Sequence, residues 1–340
     1  MNQIFQAEGL LPFIFLLLMG VSMLAYVLLD GYDLGVGILL RRATDEQKDI
    51  MISSIGPFWD ANETWLVLGI GILLVAFPLA HGVILTSLYL PVALMLIGLT
   101  FRGVAFDFRV KARAHHRPWW NLAFYAGSLL ASFAQGVMLG LYIVGFKYDW
   151  LSLLFALFTG LSLLAGYALL GAGWLIMKTE GALQQRSVYW ARRTLWLTAL
   201  GVAAISIITP LVSQRIFDKW FTLPNIFYLA PIPALTLILF VATDRILHRL
   251  PQQQTAGNDK WCWLPFAGTV GIFVLAFLGL AYSLFPYLVV DRIDIWQAAS
   301  APESLMVILI GALVVLPAIF AYSVFAYRVF WGKARELTYD

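Results

Sequence analysis

Apolar residues run in long stretches along this chain, separated by short polar segments, and that rhythm predicts helices that cross a bilayer. A spanning helix needs about 20 predominantly apolar residues. A window of that length finds nine stretches, at roughly 10–38, 54–80, 83–103, 121–146, 151–177, 194–214, 222–244, 264–288 and 304–328. The expected fold is all-α: a polytopic membrane protein of nine transmembrane helices forming one integral membrane domain. Groupings over 10–146 and 151–288 would be followed by a last helix at 304–328. The link at about 289–303 is the only long one outside, with no water-soluble domain expected. His81 is expected in a tight turn after the second span. Ser300-Ala-Pro302-Glu303 reads as a capped start of the ninth helix, with Ser300 as the cap.

Composition agrees with the pattern. Charged residues make up 12% of the chain, against about 25% in a soluble domain, and hydrophobic residues make up 61%. The first apolar run carries no Lys or Arg before Arg41 and no small-residue cleavage site, so it reads as a retained helix rather than a signal peptide. Cys262 is the single cysteine, which excludes an internal disulfide and any metal site built from several thiolates.

Charge changes the picture by giving the chain a direction. With the N-terminus outside and the C-terminus cytoplasmic, 18 of the 22 Lys and Arg residues fall on the cytoplasmic side. Only Lys147, Arg215, Lys219 and Arg292 fall outside, as the positive-inside bias predicts. Pro118-Trp119-Trp120 and Trp261-Cys262-Trp263 would place indoles at the headgroup level.

Against this apolar background the acids stand out, because a carboxylate at membrane depth costs about 2.5–3.5 kcal/mol on insertion scales. Asp30 and Asp33 lie one turn apart near the cytoplasmic end of the first span, with Gly31 and Gly35 making a small-residue strip that lets another helix approach. Asp60 and Glu63 open the second span between Trp59 and Trp65. Asp107 follows Arg102 at the end of the third, where it could pair with Arg102, Arg109 or Lys111. The plain alternative is that these acids are helix ends meeting water. The functional alternative is a route for protons, since burial disfavours the charged form of a carboxyl and lets it relay a proton. His81, His115, His116 and His248 all fall in turns or loops, so no pair can sandwich a haem inside the membrane, and no metal cluster is expected.

Three blocks in order carry a resemblance: Asp30-Gly-Tyr-Asp33-Leu-Gly-Val-Gly37, Gly56-Pro-Phe-Trp59-Asp60-Ala-Asn62-Glu63-Thr-Trp65, and Phe101-Arg102 through Phe106-Asp107 to Arg109. Together they resemble subunit II of cytochrome bd quinol oxidases, densely over residues 20–110 and thinly afterwards. The resemblance implies a bacterial cytoplasmic (inner) membrane protein paired with a larger haem-bearing subunit I. That partner would hold b- and d-type haems, oxidise quinol and reduce oxygen to water without pumping. It implies no haem or metal in this chain, no nucleic acid, and a proton pathway using Asp60, Asp30, Asp33, Glu63 and Asp107. It also admits a structural quinone and a small single-helix accessory subunit. Some members carry His where this chain has Phe58, and the link near Arg215–Phe221 is shorter than in longer members. Two other readings stay open: a proton-coupled secondary transporter, in which the same acids would bind the coupling ion, and a purely structural assembly subunit. Transporters usually show repeats and helices broken at midplane, and no repeat is visible here.

Overall fold

The computed structural model describes residues 7–255 and 259–334. Among the described residues, nine helices are long and apolar enough to cross a membrane. The elements in chain order are α1 (Ala7–Leu39), α2 (Asp45–Ile55), α3 (Trp59–Ala76), α4 (Pro78–Lys111), α5 (Arg117–Ile143), α6 (Trp150–Lys178) and α7 (Gly181–Val212). They continue with α8 (Gln214–Phe221), α9 (Asn225–Leu229), α10 (Pro231–Thr255), α11 (Leu264–Leu284), α12 (Ile295–Ala298) and α13 (Pro302–Val329). The nine spans are those expected, but several run further. Helix α4 extends to Lys111 and α7 begins at Gly181, because a helix continues into polar sequence as long as its backbone bonds are met.

Three local expectations are corrected. The second span starts at Trp59, not near 54, because α2 is a separate helix with its own capping box between Thr44 and Gln47. His81 lies inside the first turn of α4, since Phe77 alone links α3 to α4 and Pro78 opens the next helix. Ser300 does not cap α13; the N-cap is Ala301. Ser300 instead donates from its hydroxyl to the Val75 carbonyl (2.7 Å) and from its N–H to the Ala76 carbonyl (2.9 Å). Those are among the last carbonyls of α3, which have no partner within the helix.

The chain divides into two compact units. One holds the described residues up to Asp30 with Pro57–Ser87 and Leu284–Gly332; the other holds Gly31–Gly56, Leu88–Ser283 and the described residues from Lys333. Within α4 the division falls at Leu88, where the backbone leaves helical values (φ −107°, ψ 15°). Pro91 explains the kink, because its ring clashes with the carbonyl four residues back.

In the first unit, the link after α11 folds on itself. Tyr287–Val289 pairs antiparallel with Ile293–Asp294, and Asp291 at the turn takes φ 55°. Aspartate tolerates this left-handed conformation better than most residues. Asp294 then caps the short α12, and the Trp296 indole reaches the Gly9 carbonyl at 3.2 Å.

In the second unit, small residues bring backbones together. A Cβ on Gly136 would sit 2.6 Å from the Gly160 Cα, and one on Gly140 would sit 2.5 Å from the Ala156 Cα, so α5 and α6 touch almost directly. Tyr167 on α6 donates to Gln135 on α5 at 2.7 Å. After α13 the chain latches onto this unit. Lys333 pairs with Asp259 and donates to the Thr179 carbonyl, and the Ala334 N–H reaches the Lys178 carbonyl at 2.7 Å.

The short helix α8 is anchored against the end of α11. Trp220 donates to the Ser283 hydroxyl (2.8 Å), and the Lys219 ammonium donates to the Tyr282 carbonyl (2.6 Å) while lying 4.3 Å from the Tyr282 ring centroid. Burial, with Arg215 adding repulsion, holds Lys219 down at about 8 from its ordinary 10.5. Between those values the unfolded chain keeps a proton that the folded one has lost, so this group adds stability as pH rises through that window. Thermal denaturation in detergent should therefore show a midpoint that climbs between pH 8 and 10. In Lys219→Met that climb should be reduced. An identical pH profile in the variant would refute the assignment.

Candidate functional site

The acids singled out in the sequence fall into distinct environments. Asp30 and Asp33 lie inside α1, which continues to Leu39, and both are fully buried at 0% exposure. The reading of these two as a helix end meeting water is thereby excluded. Asp60 is exposed in the first turn of α3, and Glu63, one turn on, is half-buried.

What joins these groups within the first unit is a residue given no role in the sequence. Asn62 is 2% exposed, and its amide donates to the Leu29 carbonyl at 3.3 Å, one position before Asp30. Its carbonyl oxygen accepts from the Tyr327 hydroxyl at 3.3 Å. Asn62 therefore ties the start of α3 to α1 on one side and to the end of α13 on the other. Phe58 supports the same corner: it is buried and stacks on Tyr327 with centroids 4.6 Å apart and an interplanar angle of 21°. A Phe here has no titratable group, so it packs and cannot relay. The result is a series of three carboxyls in one unit, exposed at Asp60, half-buried at Glu63 and buried at Asp30, with Asn62 holding the α3 turn against the Asp30 turn of α1.

In the second unit, α1 lies against α6 backbone to backbone. A Cβ on Gly35 would sit 1.8 Å from the Tyr167 carbonyl oxygen, and one on Gly31 would sit 2.8 Å from the Tyr167 ring. Between these contacts Tyr32 stacks on Trp174, with centroids 4.1 Å apart, and Phe266 meets both rings edge-on. Asp33 follows Tyr32 in this turn of α1 and is fully buried.

The third block takes a different form from the ion pairs expected. Asp107 is exposed, whereas Arg102 is buried at 1%. Five positions separate them, which does not put two side chains on one helix face. Arg109 pairs with Asp49 on α2 at 2.5 Å and donates from Nε to Asn121 Oδ1 at 2.5 Å, so its carboxylate comes from another segment.

The four histidines fall at three separate places in the chain. His81 lies in α4, His115 and His116 form a short turn, and His248 faces Arg192 Nη2 at 2.5 Å and the Asp244 carbonyl at 2.8 Å. No group of three or more His, Cys, Asp or Glu among the described residues could hold a metal ion.

Comparison with known proteins turns this geometry into an identification. The sequence profile of the family described as cytochrome bd terminal oxidase subunit II matches residues 11–330. The chain belongs to that family. The match runs far past residue 110, where the recognisable motifs thin out. The cytochrome bd ubiquinol oxidase subunit 2 of Bacillus subtilis (strain 168) is 27% identical over 337 residues, covering 92% of this chain and 94% of the relative. The cytochrome bd-I ubiquinol oxidase subunit 2 of Escherichia coli (strain K12) is 28% identical over 370 residues, covering 95% of each. A solved structure of the bd oxidase from Geobacillus thermodenitrificans shares the fold, with a TM-score of 0.75 and 18% identity over 94% of this chain and 98% of the other. Subunit II membership and the nine apolar helices together make this a multi-pass membrane protein.

Proposed function

We propose that this chain is the haem-free membrane subunit of a quinol:oxygen oxidoreductase, that it supports a larger haem-bearing subunit I, and that it delivers protons for the reduction of oxygen to water. Family membership supports the oxidase setting, and the names of the relatives supply quinol as the electron donor. In this reading the b- and d-type haems sit in the partner, where their redox chemistry takes place, and this chain manages protons. The complex lies in a bacterial inner membrane, with the N-terminus outside and the C-terminus cytoplasmic, an orientation supported by the distribution of Lys and Arg.

The observation that carries the proton role is the graded burial of Asp60, Glu63 and Asp30 within one unit. An exposed carboxylate can exchange protons with water quickly. A buried one can pass a proton inward without holding a permanent charge at membrane depth. Asp33, one turn further along α1, is the next group on the same helix. Asp107 is exposed like Asp60 and serves as a second collector on the cytoplasmic face. Oxygen reduction then consumes cytoplasmic protons while quinol oxidation releases protons outside, so charge separates without a pump.

A secondary transporter fits less well. Transporter ion sites are typically built where helices break near midplane, and Asp30 and Asp33 lie in the uninterrupted turns of α1. Purification of the tagged full chain tests the assignment. The expected product is a complex with a larger partner whose absorption spectrum shows haem. A colourless chain that isolates alone and moves solute in liposomes would reverse the choice.

A further inference from the structure

Away from the acids, the second unit holds a cavity of about 210 Å³ lined by Leu40, Arg41, Lys48, Pro118, Asn121, Leu122 and Tyr125. Two of these groups are cations and none is a carboxylate. The acids nearby are already paired, one of them with a cation of the cavity itself, so Arg41 is the uncompensated charge. Asp49 holds Arg109, and Asp45 meets Lys48 at 2.7 Å from a position whose own side chain is 86% exposed. Arg41 takes part in no ion pair among the described residues, and its guanidinium lies 5.7 Å from the Tyr125 ring centroid. Arg109 Nε donates to Asn121 Oδ1, so the group Asn121 has left to offer is its NH2, a donor. The cavity therefore gathers a guanidinium, an ammonium, an amide NH2 and a phenol, a set suited to an anion with several oxygens. Its rim is apolar and exposed: Leu122 is 48% exposed and the adjacent Trp119 is 71% exposed.

We propose that this cavity binds a phosphate-bearing anion. A phospholipid headgroup is the source its surroundings favour, with glycerol and acyl chains lying along Leu122 and Trp119. Basic pockets among helices at the membrane surface suit such headgroups, and an indole belongs at that depth.

The test is native mass spectrometry of the purified full chain, with any partner it retains, in mixed micelles holding equal phosphatidylglycerol and phosphatidylcholine. The wild-type protein should retain phosphatidylglycerol preferentially. Arg41→Gln combined with Lys48→Gln should lower that preference by about tenfold or more, each charge contributing about fivefold. Arg41→Lys, which keeps the charge, should retain most of it, and Arg42→Gln, outside the cavity, should leave it unchanged. Displacement of the lipid by millimolar inorganic phosphate, or phosphate binding without lipid preference, supports the anion site with the free ion as its source. Wild-type lipid retention in the double variant overturns the proposal, and so does an equal loss in Arg42→Gln, which would mean a diffuse basic surface. A double variant that is not monodisperse is replaced by Arg41→Gln alone, which should lower the preference about fivefold and overturns the proposal if it does not.

Discussion

Gly35→Ala should cut accumulation of the folded protein by about tenfold or more, although it adds a single methyl group. The new Cβ would lie 1.8 Å from the Tyr167 carbonyl oxygen, 2.7 Å from its carbonyl carbon and 2.8 Å from the Gly171 nitrogen. All three are backbone atoms of α6, so no side chain can rotate aside. Gly171 sees the same contact in reverse, with Gly35 carbonyl carbon 2.4 Å from its would-be Cβ. Ordinary overpacking costs about 1–3 kcal/mol because neighbours adjust. Here two helices must separate, which would also loosen the Tyr32–Trp174 stack between them. The yield of monodisperse protein should fall by about tenfold or more, since each 1.4 kcal/mol changes a folding equilibrium tenfold. Gly71→Ala provides the contrast. A Cβ there meets nothing within 4 Å, and alanine gains about 1 kcal/mol of helix propensity, so the yield should hold or improve. A normal yield for Gly35→Ala would refute the close approach of α1 to α6.

Asp30→Asn should leave an assembled, haem-containing complex that consumes oxygen slowly. Asparagine keeps the size and polarity of the buried side chain, with an NH2 donor in place of one acceptor oxygen, but cannot release and regain a proton. A positioned acid–base group contributes about 100-fold or more where proton transfer limits the rate, so a fall of at least about tenfold in turnover is expected at saturating quinol. Haem content and reduction of the haems by quinol should stay near wild-type. Asp60→Asn should cost less, a few-fold at most, because Asp60 is exposed and Asp107 also meets water. Steady-state oxygen consumption normalised to haem checks both variants. Equal turnover in Asp30→Asn and wild-type would remove the buried acid from the pathway.

Much of this architecture was legible in hydropathy, and the parts that were not have physical reasons. Nine spans are visible because the bilayer demands apolar length. Their ends are not, because helices such as α4 and α7 continue through polar turns that a hydropathy window treats as loop. Ser300 sits in a good local capping sequence, but two unsatisfied carbonyls of α3 take its donors. The acids could be picked out because charge is costly in an apolar run, yet their degree of burial could not. Asp30 and Asp60 look alike in sequence and differ completely in exposure. Asn62 stands among the motif residues of the Trp59–Trp65 block, but nothing in that block reveals what it does. Its partners, Leu29 and Tyr327, lie 33 and 265 positions away, and no local pattern reports such a contact. The counterpart of Gly35 was closer to view. The Gly171-Ala-Gly173 run of α6 is the kind of small-residue stretch that close helix packing requires, and it could have been matched to the strip on α1.

The central claim is that cytoplasmic protons reach the oxygen-reducing partner through Asp30. Time-resolved proton uptake tests it most directly, with a pH-indicating dye in bulk solution after the fully reduced complex is mixed with oxygen. Wild-type complex should take up protons in step with oxidation of the haems. In Asp30→Asn, oxygen should still bind, and proton uptake should lag by about tenfold or more, together with the final oxidation step. Proton uptake at the wild-type rate in a fully assembled Asp30→Asn complex would contradict the account.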